Sequence, residues 1–307
     1  MDLLVNILIF VVSLAALLKA SDFFVEAAER IGLSIGISPF IIGVTIVAFG
    51  TSLPELATSM AAVFAGSSEI VIGNVIGSNI TNILLVLGLT AIVAKKIVMD
   101  FDIMDIEMPL LLASAFFLYF VLADNQVTVM ESILFLVALV VFLLNSFGQR
   151  VDDVEKPKFQ IKDLIILLIS GVVVYFGAYY TIFAIERISL QLGVNRDFIA
   201  LSVLALGTSL PEVVVSIAAA RKGKPGIAVG NVLGSNIFNT YAVVGIPSLI
   251  GDLVIPESTN DFSLPFMMAI TIMFAVGCIS KKLSRWEGVM LVIFYVYFIF
   301  TLSKDMF

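Results

Sequence analysis

Two glutamates stand where a carboxylate is hardest to keep. Glu55 follows Pro54 and Glu212 follows Pro211, each in the middle of a long apolar stretch. A charged group deep in a low-dielectric layer is strongly disfavoured unless it is paired, hydrated or bound to a cation. No Lys or Arg neighbours either residue in sequence, and Lys19 is the one basic residue placed to approach from an earlier span. Two facing carboxylates therefore call for a cation, and their charge matches one calcium ion. The competing reading is a pair of neutral acids in structural hydrogen bonds, but ionisable groups in apolar spans more often mark an ion pathway.

The surrounding residues supply further oxygen. Residues 48–55 read AFGTSLPE and residues 205–212 read ALGTSLPE. Proline has no N–H and clashes with the carbonyl four residues back, which frees the carbonyls of Gly50 and Gly207 and predicts a helix break. Thr51, Ser52, Thr208 and Ser209 add hydroxyls, and the carbonyls of Ala48 and Ala205, about one turn ahead, are expected to contribute. A second motif, GN-x-x-GSN-x-x-N, places Gly73, Gly77, Ser78 and Asn82 in one span and Gly230, Gly234, Ser235 and Asn239 in another. Glycines four apart permit close helix contact. Ser78 with Asn82, and Ser235 with Asn239, share a helix face, and Asn74 and Asn231 extend the same polar stripes. Oxygen donors without sulfur or imidazole suit calcium and sodium rather than zinc, copper or iron. Some polar residues fit plainer roles. Thr58, Ser59 and Ser216 are expected to bond the carbonyl a turn earlier, and Asn79 and Asn236 to hold helices together. Asp22, Glu26, Glu29 and Glu186 lie toward helix ends, where headgroup solvation suffices. Asp100, Asp102, Asp105 and Glu107 read as a solvated connection.

These residues must be carried by membrane helices. Hydrophobic residues make up 60% of the 307 and charged residues 13%, with a mean hydropathy of +1.12; a soluble chain carries nearly twice that charge. Spans of about 20 apolar residues are predicted at 3–30, 38–65, 69–93, 106–123, 127–145, 161–188, 196–221, 226–250, 261–280 and 284–301. The first reads as a retained helix rather than a signal peptide, having no basic n-region. Cys278 is the single cysteine and histidine is absent, which excludes an intrachain disulfide and histidine-ligated metal.

Both motif pairs recur at one offset of 157 residues, as do Glu29-Arg30-Ile31 and Glu186-Arg187-Ile188. The chain is a duplication: a first five-helix repeat over 1–145, a linker over 146–160, and a second repeat over 161–307. An odd number of spans per copy inverts the second. All Lys and Arg except Lys19, Arg187, Arg196 and Lys304 fall on the face of the odd-numbered connections. The positive-inside rule makes that face cytoplasmic and both termini extracellular. The predicted fold is thus an all-α integral membrane protein of ten transmembrane helices in two inverted repeats, with helices 2 and 7 broken at a central ion site. No enzyme, cofactor, nucleic acid or obligate protein partner is implied; the partners are the transported ions and the lipid bilayer.

At GTSLPE and GN-x-x-GSN-x-x-N the sequence resembles the sodium/calcium exchanger family of the calcium:cation antiporter superfamily, in its short prokaryotic form. The resemblance implies alternating-access antiport of calcium against sodium across the cell membrane. It also implies calcium-binding roles for Glu55 and Glu212, assisted by Thr51 and Thr208. Ser52, Ser78, Ser209, Ser235 and the carbonyls of Ala48 and Ala205 would serve sodium, and helices 1 and 6 would slide. The position matching Asn82 is aspartate in potassium-dependent relatives but is Asn239 here, which argues against potassium co-transport. The proton-coupled branch has glutamate where Gly77 and Gly234 stand. Proton- or potassium-coupled exchange and a cation channel remain the rival readings.

Overall fold

The computed structural model describes residues 3–98, 107–148, 157–192, 207–256 and 259–304. Among these, nine helices are long and apolar enough to cross a membrane. They are α1 (Leu3–Ser34), α2 (Pro39–Phe64), α3 (Glu69–Ala94), α4 (Glu107–Asp124), α5 (Val129–Gly148) and α6 (Ile161–Gln191), then α8 (Pro225–Ser248), α9 (Thr259–Cys278) and α10 (Arg285–Ser303). Between α6 and α8 lies α7 (Leu210–Arg221); the first part of the predicted seventh span, Ala205 included, falls outside the described residues. The nine long helices lie within a few residues of their predicted spans, because uninterrupted apolar runs of this length have no other stable form in lipid.

Burial sorts the helices. α8 is wholly enclosed and α3 and α2 largely so, whereas α1, α5, α6 and α10 turn most of their surface outward. The motif helices therefore form the centre. A side chain on Gly230 or Gly234 of α8 would collide with the backbone of α2 at Phe40 and Val44, so these glycines set the close crossing of α2 over α8. Residues 197–205, which the repeat would place against Gly73 and Gly77, lie outside the described residues. α1 and α6 pair along their length through small residues. Leu17 packs on Gly177, and the Thr181 hydroxyl donates to Ser13 at 3.0 Å.

Connections gather at two ends. At one end the strands β1 (Lys96–Val98) and β2 (Lys282–Ser284) pair antiparallel, joining the turns after α3 and α9. At the same sort of junction, Lys222 and Lys224 of the α7–α8 turn meet Glu26 and Glu29 of α1, and Arg30 meets Asp163 of α6 at 2.8 Å. At the other end Ser68 accepts from the Val254 amide at 3.1 Å, and Asn260 donates to Leu122 O at 3.0 Å. The small ribbon departs from the purely helical expectation. The acidic end of α1 departs too, since Glu26 and Glu29 are ion-paired rather than left to headgroup solvation. Glu107 is buried at 3% exposure, not solvated; Asp100, Asp102 and Asp105 lie outside the described residues.

Candidate functional site

The two GTSLPE segments bend alike. In α2 the helix stops at Ser52 (φ −85°, ψ 1°) and restarts at Leu53. Ser209 holds the same conformation (φ −84°, ψ 3°) before α7. Both restarts carry proline in the first turn, where its missing N–H is harmless. The Leu56 amide then bonds Ser52 O at 3.2 Å, and the matched Val213 amide bonds Ser209 O at 3.1 Å. The Ala48 carbonyl accepts from the Ser52 amide at 3.0 Å and lies 3.4 Å from the Thr51 hydroxyl. The opposing helices have a matched irregularity as well. α3 widens to i→i+5 turns over Asn82–Val86 and α8 over Asn239–Val243, and such bulges concentrate at functional sites.

Side-chain contacts run between the halves and are reciprocal. The Thr51 hydroxyl donates to Asn231 Oδ1 at 3.1 Å and lies 3.4 Å from Ser235 Oγ. The Thr208 hydroxyl donates to Asn74 Oδ1 at 3.2 Å and lies 3.3 Å from Ser78 Oγ. Each asparagine is fixed in turn. Asn74 donates to Ser59 Oγ at 3.0 Å and Asn231 to Ser216 Oγ at 3.0 Å. Asn82 donates to Asn236 Oδ1 at 3.0 Å, and Asn239 to Asn79 Oδ1 at 3.3 Å. The amide nitrogens of Asn82 and Asn239 are thereby engaged, and their oxygens are left over.

What is left over is the informative part. Glu55 and Glu212 are both 0% exposed. Their four carboxylate oxygens, the hydroxyls of Ser52 and Ser209, and the amide oxygens of Asn82 and Asn239 have no hydrogen-bond partner among the described residues. Thr208 sits beside the Glu55 carboxylate, and Thr51 and Ser52 beside that of Glu212, without bonds of ordinary geometry. The two carboxylates also lie close enough to act on each other. Lys19 is not their counter-ion; it is exposed over the Phe23 ring, 5.0 Å from its centre. Among the described residues no three His, Cys, Asp or Glu side chains converge, so the local negative charge comes from this pair. Native proteins rarely leave buried acceptors orphaned, and buried carboxylates without a partner are more costly still. A paired set of hard oxygens is the donor chemistry of calcium and sodium.

A cavity of about 320 Å³ reaches this cluster from one end. Glu186, Phe183 and Tyr179 of α6 line it, with Thr58 and Asn74, and it ends against Thr208.

Ten of the twelve residues singled out from sequence are joined in this network or left as its unpartnered oxygens. Ala48 takes part through a helical bond, and Ala205 is outside the described residues. Ser59 and Ser216 depart from expectation by bonding Asn74 and Asn231 across helices instead of a carbonyl a turn earlier. Asn79 and Asn236 bridge α3 and α8 as expected. Thr240, which accepts from Asn79 at 3.2 Å, was not anticipated. Its first-half match is Ile83, so the repeat carries no signal for it.

An enclosed helical bundle with buried, unpartnered oxygens between its inner helices is the architecture of a membrane ion carrier. A family model for sodium/calcium exchanger protein matches residues 5–148 and 162–304. The chain is 34% identical to the sodium/calcium exchanger MaX1 of Methanosarcina acetivorans, over 97% of this chain and 98% of that one. It is 32% identical to inner membrane protein YrbG of Escherichia coli, over 92% and 91%. A structure of the sodium-calcium exchanger NCX_Mj soaked with sodium and no calcium superposes with a TM-score of 0.87 at 30% identity, over 98% of this chain and all of that one. The chain belongs to the sodium/calcium exchanger family.

Proposed function

We propose that this protein is a sodium/calcium antiporter of the cell membrane, exporting calcium by alternating access at the expense of the sodium gradient. The observation that carries the reading is the set of matched buried oxygens on Glu55, Glu212, Ser52, Ser209, Asn82 and Asn239 that lack hydrogen-bond partners. In this reading calcium takes the two carboxylates, with the hydroxyls of Thr51 and Thr208 beside them. Sodium shares the same cluster and uses Ser52, Ser78, Ser209, Ser235 and the carbonyls of Ala48 and Ala205. The proposed frame is two inverted five-helix repeats, 1–145 and 161–307, joined by a cytoplasmic linker, with both termini extracellular. The reciprocal contacts of Thr51 and Thr208 support a two-fold relation between the halves, and the bends at Ser52 and Ser209 support broken second and seventh helices.

Potassium coupling is the rival with a named relative. Sodium/potassium/calcium exchanger 1 of Rattus norvegicus is 26% identical over 51% of this chain and 14% of that one. Asn239 offers an amide oxygen where that coupling is expected to need a charge. The binding claim is tested by calorimetry on purified protein. Wild type should bind calcium in competition with sodium. Glu55→Gln or Glu212→Gln should weaken calcium by roughly two orders of magnitude or more, the scale of removing one partner from a buried charge interaction. Undiminished calcium binding in both folded variants would refute the assignment.

A further inference from the structure

The two halves match at the site but differ at the ends of the bundle. The α2–α3 and α7–α8 turns share a backbone, with Gly66 at φ +74° and Gly223 at φ +72°. Flanking Gly223 are Lys222 and Lys224, whereas flanking Gly66 are Ala65 and Ser67. Lys222 is ion-paired with Glu26 and lies 3.6 Å from Asp22; Lys224 is ion-paired with Glu29. Arg30 adds contacts to Asp163 at 2.8 Å and Glu26 at 3.9 Å. The repeat-related positions of Asp22 and Glu26 are Tyr179 and Phe183, and these line the open cavity. That of Asp163 is Asn6, and Arg187, which repeats Arg30, stacks on Phe183 instead. The positions that match the lining of this cavity are closed over at the lysine end. Thr58 and Ile70 line it and are exposed, but their matches Val215 and Ile227 are 0% exposed.

We propose that Lys222 and Lys224 form a one-sided ionic latch. They hold the acidic end of α1 against the α7–α8 turn and bias the site toward opening at the Glu186 end. The inference rests on the alternating-access reading, because opening at the lysine end requires α1 to leave that turn and both pairs to part. The lysines position α1 and touch no transported ion. Their effect is a population shift between two arrangements.

The test uses Val25→Cys in the full chain with Cys278→Ala. Val25 is 0% exposed, and its match Ile182 lines the open cavity. The rate of modification by a small thiol reagent reports opening at the lysine end. Lys222→Gln with Lys224→Gln should raise that rate roughly three- to tenfold, as expected for two partly exposed ion pairs. Choline chloride, which screens such pairs, should raise it in the unlatched-capable protein that keeps both lysines and have little effect once they are gone. Lys222→Arg with Lys224→Arg, which keeps both charges, should leave it near the starting value. If Val25→Cys responds to calcium and sodium but the lysine variants leave its rate unchanged, the latch is refuted and alternation stands. If it stays unreactive in every protein and ion condition, opening at this end is refuted, and the latch with it.

Discussion

Threonine and asparagine divide the work around each carboxylate. Thr51 donates to Asn231 at 3.1 Å, closer than the Ala48 carbonyl at 3.4 Å, and Thr208 donates to Asn74 at 3.2 Å; in the proposed site their lone pairs would be left for a cation. Thr208→Val removes the hydroxyl donor of the buried Asn74 amide oxygen, a loss of about 1–3 kcal/mol, and Thr51→Val leaves Asn231 Oδ1 with the longer 3.5 Å contact from Ser235. Each should raise the KM for calcium by about tenfold or more, while the matching Thr→Ser variants stay near wild type. Flux measured across a calcium series decides this, and valine variants with unchanged KM would contradict it. The oxygen donors themselves were legible in sequence because both copies keep them at one offset. Their partners were less so. Ser59 and Ser216 looked like helix-local hydroxyls, since nothing near them in sequence reveals an asparagine on the neighbouring helix. Glu26 and Glu29 likewise find lysines almost 200 residues away, a pairing only the folded chain supplies.

Among the elements, the crossing of α2 and α8 carries the most constraint. A Cβ on Gly234 would overlap the Val44 carbonyl oxygen and sit 2.7 Å from the Ala48 methyl. Gly234→Ala should therefore lower stability by about 1–3 kcal/mol, the usual range for overpacking. Gly277→Ala in α9, where no described atom lies within 4 Å of the added methyl, should be neutral or slightly stabilising. Thermal unfolding in detergent compares the two, and equal midpoints would mean that the close crossing is not needed. Glycines at this spacing announced the crossing, and long apolar runs announced the helices. The wide turns at Asn82 and Asn239 had no such signature. An i→i+5 turn uses the same residues as an α-helix, and here the amide bonds to Asn236 and Asn79 accompany it. Strands of three residues, as in β1 and β2, are too short to show alternation.

At the scale of the whole molecule, the halves agree around the buried oxygens and differ at the ends of the bundle, where the proposed latch would act. Among the described residues the ion pairs lie at the ends of the bundle, and the enclosed centre holds two carboxylates among neutral oxygens. Such a centre favours cations that compete for one set of ligands, which is the requirement for coupled exchange rather than continuous flow. The direct measurement is calcium uptake into proteoliposomes loaded with sodium, potassium or choline, at fixed pH and clamped voltage. The account predicts saturable uptake driven by internal sodium alone, with no requirement for potassium and little uptake from a proton gradient. Equal uptake without sodium, uptake that appears only when potassium is added, or flux that does not saturate would contradict it.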